Sequence, residues 1–126
     1  MKKFAKITAV VLVAVMALAL LVACGPASDP DKAKKALEDN GYTVVNLPAG
    51  GIAGIKAIVS GTKGLLSGNA QTITIYYFND AESANNAWEE IKDKSDKESK
   101  DKSDWVVAKS GAMIYYGTSQ AVKDAR

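Results

Sequence analysis

Residues 71–94, QTITIYYFNDAESANNAWEEIKDK, place a strand directly before a helix, and their two periodicities decide the fold. Thr72 and Thr74 alternate with Ile73 and Ile75, and the run continues into Tyr76, Tyr77 and Phe78, the period-two pattern of a β-strand. Asp80 stands where an N-cap belongs, and Ala81, Ala84, Ala87, Trp88 and Ile91 recur at helical spacing on one face.

Upstream, residues 29–42, DPDKAKKALEDNGY, carry helix punctuation at both ends. Asp29 is a candidate cap, Pro30 fits the first helical position, Gly41 follows the end, and Ala33, Ala36 and Leu37 form a narrow apolar stripe. YTVVNL (42–47) and IKAIVSGT (55–62) are rich in β-branched residues, bounded by Pro48 and glycines, and read as strands. Downstream, WVVAKSGAMIYYG (105–117) reads as a hairpin turning at Ser110 and Gly111, and Thr118 precedes a last short helix, SQAVKDA. The order α-β-β-β-α-β-β-α predicts an α+β domain: an antiparallel sheet of four to five strands with two to three helices packed on one face. A faint internal echo runs through it. A helix followed by YTVV and IVSGTKG resembles a helix followed by WVVA and IYYGTSQ.

Lys92 to Asp104, KDKSDKESKDKSD, contains no apolar residue and balances five lysines against five acids. Its acid-first i,i+4 pairs suit a solvated extension of the second helix, and its composition equally suits a linker. The interleaved lysines and the absence of an EF-hand pattern argue against calcium. Ser60 and Lys63 satisfy S-x-x-K, but the companion motifs of penicillin-recognising enzymes are missing. Glu89 and Glu90 are adjacent, hence about 100° apart on a helix, and do not converge as an acid and base. With no histidine and one cysteine, no metal site and no cofactor are expected, and the sequence reads as non-catalytic. Tyr76, Tyr115 and Tyr116 are the candidate binding surface: rings sharing an open sheet face would form a platform, and otherwise they fill the core. Likewise 49–68, AGGIAGIKAIVSGTKGLLSG, reads either as turns and bulges around a strand or as an element touching a membrane.

The beginning of the chain is of another kind. MKKFAK carries three lysines, and the 17 residues from Ile7 to Ala23 carry no charge, a layout of export signals and a short one for a transmembrane helix. Cys24 stands where this run turns polar. It has no second cysteine for an intrachain disulfide and no histidine to make it a nucleophile. Leu21, Val22, Ala23 and Cys24 resemble the lipobox of bacterial lipoproteins. That resemblance implies diacylglyceryl transfer to Cys24, cleavage before it, and a membrane-attached, extracytoplasmic protein; Gly25 stands where inner-membrane retention often uses aspartate. The expected divisions are 1–23 as signal, 24–30 as lipidated cysteine and short tether, and 31–126 as one domain. Removing residues 1–23 takes three of the 16 basic residues and none of the 14 acidic ones, leaving 13 against 14 and a net charge of −1. Nucleic acid is therefore disfavoured as a partner. The reading is a lipid-anchored binding module with an envelope protein or a small glycan or peptide as partner.

Overall fold

The computed structural model describes residues 25–49, 51–66, 69–99 and 104–126; the lipobox residues and Cys24 lie outside them. Helix α1 (Pro30–Asp39) is followed by strands β1 (Thr43–Leu47), β2 (Ile55–Lys63) and β3 (Gln71–Phe78), helix α2 (Ala81–Glu98), strands β4 (Trp105–Ser110) and β5 (Met113–Thr118), and helix α3 (Ser119–Asp124). The five strands form one sheet in the order β1-β2-β3-β5-β4, every neighbouring pair antiparallel. The expected α+β class and element order are those of the structure.

Local chemistry sets the ends. Asp29 accepts from the Asp31 amide at 2.9 Å with Pro30 behind it, and Asp80 accepts from the Ser83 amide at 2.8 Å, so both expected caps satisfy otherwise orphaned helix donors. The hairpin turns at Gly111–Ala112, one residue later than read from the sequence. Ser110 pairs with Met113, and Gly111 at φ 59° takes the left-handed first position that a type II′ turn needs.

The helices cover both faces of the sheet, whereas the sequence reading placed them on one. Ala33 and Leu37 of α1 and Ala121 and Val122 of α3 pack with Val59, Ile73, Ile75, Tyr77, Met113 and Tyr115. Ala84, Ala87 and Ile91 of α2 pack with Ile58, Tyr76, Phe78, Ile114 and Tyr116 on the second face. Helical spacing shows that a helix buries a stripe, not which side of a sheet receives it. β3 is apolar at both parities near its end, so its second face needs a cover, and α2 supplies it.

The arrangement also accounts for the internal echo. Two α-β-β units flank β3, with β2 and β5 both antiparallel to it, so a pseudo-two-fold axis along β3 exchanges them and turns α1 onto one face and α2 onto the other. YTVV and WVVA obey this axis: Tyr42 and Val44 face α1, while Trp105 and Val107 face α2. The Gly-Thr echo does not. Gly61 and Gly117 both pair with Ile73, hence lie on the same face, one residue out of step with the rotation.

The tail of α2 is the solvated helical extension as far as Glu98, held to the sheet at Ser95, and residues 100–103 lie outside the described residues. The helix runs to Glu98, Ser95 is fully buried, and its Oγ accepts from the Trp105 indole N–H at 2.8 Å. The tether is docked as well. The Ala27 amide donates to the Ala125 carbonyl and the Tyr77 hydroxyl donates to the Ala27 carbonyl, each at 2.8 Å, so residues 25–30 pack on the domain. Polar composition suggested a free segment; backbone hydrogen bonding, which composition does not report, holds it down.

The two glycines beside Ile73 differ in what a methyl group would meet. At Gly117 it would run into the Thr72 carbonyl and lie 2.7 Å from the Ile73 Cα, both backbone; at Gly61 it would meet the tip of Leu37 at 3.1 Å. Gly117→Ala is expected to lower stability by about 2–3 kcal/mol and Gly61→Ala by less than about 1 kcal/mol, measured by urea unfolding. Equal effects would contradict the close β3–β5 approach.

Candidate binding surface

The three tyrosines singled out in the sequence do not make an open platform. Tyr76 and Tyr116 share the second face, with ring centroids 6.0 Å and hydroxyls 3.4 Å apart, yet they are only 6 % and 3 % exposed because α2 closes over them. Trp105 stacks on Tyr116 with centroids 5.9 Å apart, and the Tyr116 hydroxyl donates to Glu98 Oε1 at 3.4 Å. Tyr115 points to the opposite face, buried near Gly25. These rings are core.

The other chemical candidates are also dispersed. Alternation along β2 sends Ser60 to the second face and Lys63 to the first, with two residues between serine and lysine on a strand rather than one turn of helix. Lys63 Nζ instead donates to the Asn40 carbonyl at 2.7 Å and lies 5.4 Å from the Tyr42 ring centroid. Glu89 and Glu90 are solvated on α2. Among the described residues no group of three or more histidine, cysteine or acidic side chains could hold a metal.

What remains at the surface is apolar and lies at one side of the sheet. α1 covers β1 and β2 on the first face, but α2 packs over β3, β4 and β5, leaving β1 uncovered on the second. Val44 turns inward, so Val45 and Leu47 project from that second face, 50 % and 43 % exposed. Among the described residues β1 pairs with β2 alone, so its outer edge offers a row of backbone donors and acceptors, and Thr43–Leu47 contains no charge. Beyond the end of β2 a loop adds the exposed Leu65 and Leu66, and the open depression of about 560 Å³ there is lined by Gly41, Thr43, Thr62, Lys63, Gly64 and the two leucines. Sequence reasoning found YTVVNL as a strand but had no sign of its edge position, since strand order is set by pairing and not by local pattern. No family model, curated protein or solved structure matches the chain.

Three hydroxyls in the fold resist ionisation. Burial raises the Tyr116 pKa, aided by the hydrogen bond with Tyr76; burial and the Asp124 carboxylate raise that of Tyr42; burial and the charge of Asp29 raise that of Tyr77. An unfolded chain releases these protons near pH 10, so above that value the folded state binds more protons and stability falls as pH rises. Denaturation midpoints are expected to hold steady up to about pH 9.5 and then drop, with tyrosinate absorbance rising together with loss of circular dichroism. Tyrosinate appearing near pH 10 from Tyr42, Tyr77 and Tyr116 while the chain stays folded would refute it.

Proposed function

We propose that the chain is a bacterial lipoprotein whose domain, from Gly25 onward, is carried on the extracytoplasmic face of a membrane by lipid on Cys24 and works by binding rather than catalysis. One observation carries the anchor: the only cysteine of the chain follows Leu21, Val22 and Ala23 at the end of an uncharged 17-residue run behind three lysines. Each buried methylene contributes about 0.8 kcal/mol, so two acyl chains hold a protein stably without further membrane contact. The binding role is supported by β1, whose exposed Val45 and Leu47 stand on an unpaired, uncharged edge, and by the separation of Ser60 from Lys63 on opposite faces. A protein of the cell envelope is the partner class that such an edge suits.

Cys24→Ala tests the anchor in cells fed a labelled fatty acid. Label is expected to disappear, and the protein to leave the membrane fraction or accumulate as uncut precursor. Fully processed, membrane-bound protein from the variant would overturn the proposal.

A further inference from the structure

We infer that β1 is a self-pairing edge: two copies of this chain join antiparallel along Thr43–Leu47 into a ten-stranded sheet. The two edges of the sheet are built differently. β4 carries Lys109, a charge of the kind that discourages edge pairing, whereas β1 has no charge, no proline and no bulge from Thr43 to Leu47, and Pro48 stops it only afterwards. Full overlap of a five-residue strand with itself centres the dyad on Val45. Val45 then lies opposite its own copy, Thr43 opposite Leu47 and Val44 opposite Asn46, and the exposed apolar pair on the second face becomes a continuous row.

Two further observations select a second copy over an unrelated strand. The dyad is perpendicular to the sheet, so it sets the two α1 helices side by side and antiparallel on the first face. Each flank of α1 carries a lysine in its first half and an acid toward its end, Lys34 with Glu38 on one and Lys32 with Asp39 on the other, so the flank that meets the neighbour sets a lysine of one helix alongside a carboxylate of the other. The same dyad keeps both first faces on one side. Gly25 lies against Tyr115 of that face, so the two segments that would lead from the anchors lie on the same side of the joined sheet, as a single membrane requires. This last point rests on the lipid-anchor reading; the strand pairing does not.

The test uses the full chain with Cys24→Ala and Val45→Cys, which leaves one thiol whatever becomes of residue 24. Opposed residues of an antiparallel pair have Cα atoms about 4.5–5.5 Å apart, within the reach of a disulfide. Mild oxidation of the cell envelope is expected to convert at least half of the protein into a homodimer. Thr43→Cys in the same background places its two thiols about 14 Å apart along the strands and is expected to yield at least fivefold less. Adding Asn46→Lys and Val44→Lys to the Val45→Cys chain is expected to cut the yield at least tenfold. Equal yields from Val45→Cys and Thr43→Cys, or disulfide capture of a different protein at Val45→Cys, would overturn the inference.

Discussion

Six consecutive residues of β3, Ile73 to Phe78, are buried, so this strand can neither lie at an edge nor show a face to water. Everything else answers to that demand. β2 and β5 satisfy its backbone on either side, α1 and α3 close over Ile73, Ile75 and Tyr77, and α2 closes over Tyr76 and Phe78. A fully buried isoleucine or tyrosine contributes about 2 kcal/mol or more, so a double-faced strand concentrates much of the core in one segment. Because the chain reaches β3 from one α-β-β unit and leaves it into another, the two units fall on opposite sides by rotation, which explains why the helices divide between the faces.

That division leaves an imbalance. α2 has 18 residues and extends across three strands, while the second face of β1 receives no helix. The core under α2 is closed further by the indole of Trp105, whose stacking on Tyr116 and bond to Ser95 tie β4 to the last turns of the helix. β1 has no counterpart to this on its second face, and its apolar side chains there stay in water. Exposed apolar groups on an unpaired edge are costly to leave in water, and they stand at the far side of the sheet from an edge strand that carries Lys109 and is covered by α2.

The legible parts of the fold are those fixed by residues close in sequence. Asp29 and Asp80 cap because a short acceptor before a helical stripe has one good use, and Gly111 marks a turn because the backbone there needs positive φ. What required distant residues was not legible. Alternation told that Tyr76 and Thr74 share a face, but whether the rings on it are wet depends on where α2 lands. The consecutive run of Tyr76, Tyr77 and Phe78 did hold the signal, since three large rings in a row cannot all lie on one face. Likewise GPASDP (25–30) has a tether's composition, while its attachment runs through the Ala27 backbone, which carries no sequence signature.

The docking of that segment changes what a lipid at Cys24 does mechanically. A flexible tether of several residues would let the domain sample many orientations above a bilayer, since such a chain has an end-to-end distance of about 5–6 Å times the square root of its length. Ala27 is held by Ala125 and Tyr77, and Gly25 lies against Tyr115, so on the proposed anchoring the segment that follows the cysteine would tie the lipid to the first face of the sheet. On that proposal the first face would be turned toward the membrane, and Val45 and Leu47, projecting from the second, away from it. Two domains carried in that way on one membrane would lose less orientational freedom on meeting edge to edge than two in solution, because an anchor would already have removed part of it.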